Sequence, residues 1–387
     1  MPDNSYLRFM YLKKLSLLNF KNYEEAQLTF SEDVNAFVGG NGEGKTNLLD
    51  AIHYLSMCKS YFNPIDVQNM KHQCEFFLLQ GIFINGNKEE NIYCGLKKNQ
   101  RKIFKRNQKE YERLADHIGL LPVVMISPTD TGLITEGSEE RRKFIDSIIS
   151  QFDKTYLDDL ISYNRVVSHR NALLKQFAQA RKFDEASLDI WDDQMIELGE
   201  KIYAKRLDFV NQFLPIFRDY YKFISLDREE VSVFYESHLH KGNFRDVLKG
   251  VLEKDRIMQF TTAGIHKDEL VFTIEGHPVK RFASQGQQKS FLIALKLAQF
   301  DFIKEIKKMK PILLLDDIFD KLDNLRVKRL MELVSKDNFG QIFITDAHPE
   351  RVTRVFEEIN VEVKLFNVQK GSIVKQSIPN DQLPMIS

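Results

Sequence analysis

Apolar positions alternate loosely along residues 11–20, and a shorter apolar run at 34–38 ends in two glycines; both predict strands of a half-buried sheet. A helix is predicted from Thr46. Further strands are expected at 76–84, 92–96 and 102–104, and the apolar run 121–126 closes a strand-rich first part just before Ser127-Pro128. From about 139 to 251 the spacing becomes helical, as in Phe144, Ile148 and Phe152, then Tyr156, Leu160 and Tyr163, then Ile196, Ile202, Leu207 and Val210, with few glycines or prolines between. Charged residues break any sustained heptad there, which argues against a long coiled coil. After Phe260 strand and turn signals return, with a compact helix over 287–307, a strongly apolar strand at 312–315 and a last strand at 341–345. Two strand-rich stretches flanking a helical insertion predict one discontinuous α/β domain, residues 1–130 with 260–387, and a helical lobe or arm of residues 131–259.

A chain of 387 residues, 43% of them hydrophobic, supplies the apolar material for such a core. Its 55 basic and 55 acidic residues cancel, so affinity for nucleic acid would have to come from local clusters of Lys and Arg. There is no internal repeat or low-complexity tract. Cys58, Cys74 and Cys94 lack metal or redox spacing and read as small hydrophobes; with no signal-peptide pattern, they predict a reduced, cytoplasmic setting. No apolar run has the length needed to cross a membrane. The first nine residues read as a short extension, with Met10 an alternative start.

The chemistry concentrates at Gly39-Gly40-Asn41-Gly42-Glu43-Gly44-Lys45-Thr46, which satisfies G-x-x-x-x-G-K-[ST] between a predicted strand and a predicted helix. In that setting the glycines turn backbone N–H groups toward phosphate oxygens at the positive end of the helix, Lys45 reaches the outer phosphates and Thr46 coordinates Mg2+. The plainer alternative, a glycine-rich turn with an incidental lysine, does not explain the flanking elements. Far along the chain, Ile312-Leu313-Leu314-Leu315-Asp316-Asp317 ends an apolar strand in two carboxylates, placing Asp316 to hold magnesium and Asp317 to polarise an attacking water. Taken alone, that strand is as well read as a simple exit into solvent. About two dozen residues before it, Ala283-Ser284-Gln285-Gly286-Gln287-Gln288-Lys289 opens a helix with a serine and a glycine, a further candidate grip on phosphate through Ser284, Gly286 and Gln287.

These motifs resemble those of the RecF family of ABC-class ATPases, and the likeness runs over nearly the whole chain. Leu17-Leu18-Asn19-Phe20-Lys21-Asn22-Tyr23 is similar to the family's N-F-R-N-Y strand, with Lys21 in place of arginine. Lys59-Ser60-Tyr61-Phe62 occupies the place of its basic-serine-aromatic segment. Ser127-Pro128-Thr129-Asp130 with Glu139-Glu140-Arg141-Arg142-Lys143-Phe144 is similar to its S-P-E-D and R-R-x-F pair, and residues 317–323 resemble its acidic motif with the D-loop. Gly264-Ile265-His266-Lys267-Asp268-Glu269 departs from the family's G-P-H-R-D-D at three positions, leaving its role near nucleotide or DNA less specified. No Q-loop glutamine is assigned; residues 127–130 stand in its place. His348 is a candidate phosphate sensor, and equally a solvent-facing loop histidine beside Pro349. The resemblance implies an ABC-type head built around ATP and Mg2+, with Ser284 and Gly286 of one subunit closing over ATP held by the other. It further implies an ATP-dependent homodimer clamping DNA at gaps and single-strand/double-strand junctions, weak DNA-stimulated ATPase activity, partnership with RecR and RecO, and roles in repair, recombination, replication and the SOS response.

A candidate DNA surface is the basic stretch Lys97, Lys98, Arg101, Lys102, Lys105, Arg106 and Lys109, expected on a strand-turn-strand ribbon; a solvated hairpin face is the alternative. Arg165, His169, Arg170, Lys175, Arg181 and Lys182 form a second group on the helical segment. No helix-turn-helix, zinc spacing or aromatic platform is present, so any DNA contact should be independent of sequence. Two rival functions share the phosphate loop. A protein using ATP only as a structural ligand is opposed by Asp317, and a transporter ATPase subunit by the long stretch between the loop and Ser284.

Overall fold

The computed structural model describes residues 9–226, 229–321, 324–334 and 339–377. They fall into two compact units: one runs to Asp130, takes in Tyr220–Leu226 and resumes at Gln285, and the other comprises Thr131–Asp219 and residues 229–284.

The first unit is built on two six-stranded sheets. One is antiparallel and made from local hairpins: Met10–Phe20 lies between Tyr23–Thr29 and Phe76–Asn85, and Lys88–Lys97, Ile103–Arg106 and Lys109–Glu110 follow in order. Alternation is visible in Tyr23–Thr29, where Tyr23, Ala26 and Leu28 are buried and the residues between are exposed. The other sheet is mainly parallel, and Val34–Val38 lies inside it between Ile342–Asp346 and Val363–Gln369. Ile312–Leu315 and Val123–Ile126 extend it in parallel on one side, while Ser372–Ser377 closes the other edge antiparallel. Strands buried on both faces need no alternation, which is why every residue of Val34–Val38 and Ile312–Leu315 is buried, with Asn35 the one polar side chain among them. The helix Lys45–Met57 contributes Leu48, Leu49, Ala51, Ile52, Tyr54 and Leu55 to one continuous core holding Leu12, Phe20 and Phe77 from the first sheet and Phe37, Leu314, Phe343 and Phe366 from the second.

Gln341 joins the two sheets. Its side chain is fully buried; Nε2 donates to the carbonyls of Leu12 at 2.9 Å and Ser31 at 2.7 Å, and Oε1 accepts from the Leu12 N–H at 2.7 Å. All three of these bonds go to backbone groups, and the Ser31 carbonyl accepts from Asn35 Nδ2 as well, at 2.9 Å.

The second unit holds the helices Ser138–Ile149, Lys154–Ala180, Phe244–Met258 and most of Glu185–Ser225. Asp153 caps Lys154–Ala180 by accepting the Tyr156 N–H at 2.9 Å, and Asn243 caps Phe244–Met258 by accepting that of Arg245 at 2.7 Å. The unit is not wholly helical. Val231–Glu236, inside the stretch expected to be helix, pairs antiparallel with Glu269–Ile274, which pairs in turn with His277–Pro278. This small sheet carries residues 260–284 into the second unit, so the chain returns to the first at Gln285 and not at 260. The return of strand periodicity after Phe260 is real; the partner strand, which sequence periodicity does not reveal, decides the unit.

Candidate functional site

Residues 39–46 leave the buried strand Val34–Val38 and enter the helix Lys45–Met57. Two glycines are fixed by close approach: a Cβ on Gly39, at φ 149, would lie 2.3 Å from the Val368 carbonyl oxygen, and one on Gly44, at φ 114, would lie 2.5 Å from the Asn22 amide. Asn22 Nδ2 donates to the Glu43 carbonyl at 3.0 Å and its Oδ1 accepts from Asn47 Nδ2 at 2.7 Å, while the Tyr23 hydroxyl donates to the Gly44 carbonyl at 3.1 Å. Asn22 and Tyr23 therefore clasp the loop from the first hairpin. Sequence reasoning quoted them only as part of a motif and gave them no role. The Lys45 side chain lies along the loop, its Nζ donating to the carbonyls of Gly39 at 2.8 Å and Gly40 at 2.9 Å, and Gly40, Asn41 and Gly42 are exposed.

The end of Ile312–Leu315 delivers Asp316 to the first turn of that helix. Asp316 is 5% exposed, and its carboxylate accepts three hydroxyls: Thr46 at 2.7 Å, Thr345 at 2.9 Å and Ser127 at 3.2 Å. Thr46 and Asp316, 270 positions apart, thus meet at one point. Asp317 sits beside them at φ 44, an uncommon conformation for a non-glycine residue, with its N–H on the Thr345 hydroxyl at 2.8 Å. Magnesium keeps several waters and takes one or two carboxylates with phosphate oxygens, so a hydroxyl and a carboxylate at hydrogen-bond distance fit it. Among the described residues no cluster of three His, Cys, Asp or Glu offers a fuller metal cage.

Ser127 is held in turn by Asp130, whose carboxylate accepts the Ser127 N–H at 2.7 Å, pairs with Lys296 Nζ at 2.8 Å and accepts the Tyr61 hydroxyl. Lys296 lies on the helix Gln285–Lys307 that begins in the serine-glycine motif. Tyr61 is tied through its N–H to Asp50, 2.7 Å away, and Asp50 pairs with Lys21 at 2.5 Å and accepts the Ser60 hydroxyl at 2.6 Å. Residues 127–130, the segment in place of a Q-loop, therefore join a buried polar chain from Lys21 to Asp316. His53, packed on Tyr61, is pushed down to about 4 by burial.

Ser284 is exposed at the last residue of the second unit, and Gly286 is half-buried where the chain re-enters the first. Gln287, also half-buried, lies in the first turn of Gln285–Lys307. Ser290, one turn on from Gly286, donates to the Gly286 carbonyl at 3.1 Å and accepts from Arg326 Nε at 2.7 Å. His348 is exposed; its N–H donates to Asp346 Oδ1 at 2.6 Å, and the Asp346 carbonyl accepts the Gly39 N–H at 3.3 Å. Of the segment 317–323, Leu322 and Asp323 lie outside the described residues.

The family model for the RecF/RecN/SMC N terminal domain matches residues 11–373. The chain belongs to the RecF family. A DNA replication and repair protein RecF from Phocaeicola vulgatus is 50% identical over 369 residues, covering 95% of this chain and 99% of that one. The protein of the same name from Flavobacterium johnsoniae is 51% identical over 359 residues, covering 93% and 100%. A solved structure described as the recombination mediator protein RecF-ATPrS in the RecFOR pathway superposes with a TM-score of 0.85 at 29% identity, covering 95% of this chain and 99% of that one. A Smc head domain from Pyrococcus furiosus matches at 0.56 and 16% identity, a likeness of fold alone. The fold is that of an ABC-type ATPase head, as the motifs had implied.

In this RecF-family chain the basic ribbon does not offer all of its charges to solvent. Along Ile103–Arg106 side chains alternate, and Lys102, Phe104 and Arg106 share the inner face. The Lys102 ammonium donates to Cys58 O at 2.6 Å, Asp66 Oδ2 at 2.7 Å and Tyr54 Oη at 3.1 Å, and its side chain is only 11% exposed. Arg106 makes a two-pronged pair with the buried Glu90, at 2.8 and 2.5 Å. Both were expected as DNA contacts; Lys102 is engaged inside, and Arg106, 40% exposed, is held by its pair with Glu90. Lys97, Lys98 and Arg101 are exposed; Lys105, half-buried, lies with its ammonium 5.8 Å from the Tyr93 ring centre. On the helical segment Arg170, a member of the second basic group, is fully buried against Asp192 and Asp255, each at 2.6 Å.

Residues 264–269 lie in the second unit, where most of their polar groups are paired. Glu269, where the RecF family carries aspartate, makes a two-pronged pair with Arg141 at 2.7 and 2.9 Å. Asp268 is buried beside Arg206, 3.2 Å away, and Arg206 also binds Asp146 at 2.9 Å and the Ile265 carbonyl at 2.8 Å. His266 bonds Tyr163 at 3.0 Å and the Thr261 carbonyl at 3.2 Å, and burial lowers it to about 4. The segment is a polar core of its own unit. Cys58 and Cys94 are buried and Cys74 half-buried, all as free thiols, and no helix among the described residues is long and apolar enough to cross a membrane.

Proposed function

We propose that this chain is an ATP-dependent DNA-binding ATPase of recombinational repair, acting in the cytoplasm. The observation that carries the reading is the meeting of Thr46 and Asp316 at 2.7 Å beside the glycine loop, in a RecF-family head. Residues 39–46 bind the triphosphate: backbone N–H groups and Lys45 take the phosphate oxygens. Thr46 and Asp316 would hold magnesium, which would supply neutralising positive charge to the phosphates. Asp317 accepts a proton from the attacking water. Ser284, Gly286 and Gln287 close over the nucleotide of a second copy, so ATP stabilises a homodimer that clamps DNA, and hydrolysis releases it. His348 senses the terminal phosphate. DNA at gaps and single-strand/double-strand junctions, partnership with RecR and RecO, stimulation of a weak ATPase by DNA, and roles in replication and the SOS response rest on family resemblance.

The test is sedimentation with ATP and gapped DNA. Asp317→Asn, which keeps the carboxylate's shape without its basicity, should accumulate an ATP-bound dimer on DNA, whereas the unaltered chain dissociates as phosphate appears. A variant that stays monomeric with ATP and DNA present rejects the clamp. Phosphate release undiminished in that variant reassigns the base.

A further inference from the structure

The second unit carries a cleft that the nucleotide reading does not use. Lys154–Ala180 ends where Arg181 enters the left-handed region at φ 51, and the chain turns through Lys182 and Phe183 into Glu185–Ser225. Leu174, Phe177, Ala178 and Phe183, with Ile257 from the end of Phe244–Met258, line a cavity of about 340 Å³. Phe177 and Phe183 meet edge to face at 5.3 Å, so the floor is apolar.

The rim is basic. Arg181, Lys182 and Arg256 border the cavity with one acid, Glu253, bonded to Arg256 at 2.6 Å, and Asp184, next in the chain after Phe183, lies close enough to Lys182 for their charges to interact. The Arg256 guanidinium also lies 4.3 Å from the centre of the Phe183 ring, leaving the exposed Arg181 and Lys182 as the outward charges. Ile257, in the wall of the cleft, is 77% exposed, and Met258 and Phe260, which follow it in the chain, are 49% and 36% exposed. A run of exposed apolar residues that begins in the wall of an apolar cavity marks an interaction surface.

Cavity size and rim charge together select the occupant. The volume is near the lower limit of small-ligand pockets and suits one aromatic or branched side chain. A nucleic-acid backbone would use the cations and its bases would need an open aromatic face, but the Phe183 ring has Arg256 over it and meets Phe177 edge to face. We propose that this cleft docks a short acidic segment of a partner protein, with one apolar side chain seated among Leu174, Phe177 and Phe183 and flanking carboxylates on Arg181 and Lys182. The inference stands apart from the nucleotide chemistry and survives its failure.

Random dodecapeptides displayed on phage, panned against the full chain, test it. The expected enrichment is an aromatic or branched residue flanked by Asp and Glu, and synthetic copies should bind in fluorescence polarisation more weakly as salt rises. Lys182→Glu and Ile257→Ser alter exposed side chains and should each weaken that binding about tenfold, with unchanged thermal melting as evidence of an intact fold. Absence of acidic-apolar enrichment, or binding unmoved by both variants, overturns the proposal. Loss of duplex DNA affinity with peptide binding intact reassigns the cleft to nucleic acid, and loss of self-association reassigns it to a second copy; either result rejects the peptide.

Discussion

Lys45 and Lys102 illustrate how differently two lysines behave once their acceptors are known. Lys45 touches only backbone carbonyls of the loop it serves, so Lys45→Ala should leave the fold intact and weaken nucleotide binding about a hundredfold, measured by titration with a fluorescent ATP analogue. Tight binding by that variant would remove the loop from the account. Lys102 holds Asp66, Tyr54 and a carbonyl at the end of the loop helix. Lys102→Ala should lower the unfolding free energy by about 2–3 kcal/mol, because it leaves a carboxylate uncompensated, and urea denaturation reads that loss directly. Both residues stood out in the sequence as candidates. Only Lys45 came with a motif that fixes its surroundings; Lys102 was a charge in a run of charges, and a count of charges does not say which face each one occupies.

At the scale of elements, the ribbon's alternation separates two functions that the sequence presents as one. The inner face anchors and the outer face is available, so Lys97→Glu, Lys98→Glu and Arg101→Glu combined should reduce the salt dependence of DNA binding by about two to three phosphate contacts. A salt slope equal to that of the unaltered chain would leave the ribbon as a solvated hairpin. The strand before the loop was legible as a short buried run ending in glycines, and the long helices by the spacing of their apolar residues. Val231–Glu236 was not: six residues between helices carry a weak period, and their partner, Glu269–Ile274, lies beyond another helix. The boundary at Gln285 followed from that one missed pairing.

For the molecule as a whole, three histidines, His53 and His117 buried and His266 half-buried, contribute to the response to acid. Burial holds His53, His117 and His266 each near 4, against about 6.5 in an unfolded chain. The unfolded chain therefore takes up protons first as pH falls, so their contribution to stability is complete above about 6.5 and is lost progressively toward 4. Urea midpoints measured from pH 7.5 down to 5 should decline through this window, before most carboxylates titrate; a flat profile would mean the rings are protonated in the folded state. The histidines themselves are plain in the sequence, but their burial depends on long-range packing that no local pattern encodes.

Gln341 leads to a different kind of dependence. Its amide donates to two carbonyls and accepts one N–H, a combination that a carboxylate cannot supply and a neutral carboxylic acid supplies only in part. Gln341→Glu would make the junction of the two sheets an acid-requiring fastener: the variant should gain stability relative to the unaltered chain as pH falls from 8 toward 5, with the difference read from paired thermal melts. A difference that does not change with pH would mean that the seam tolerates an anion.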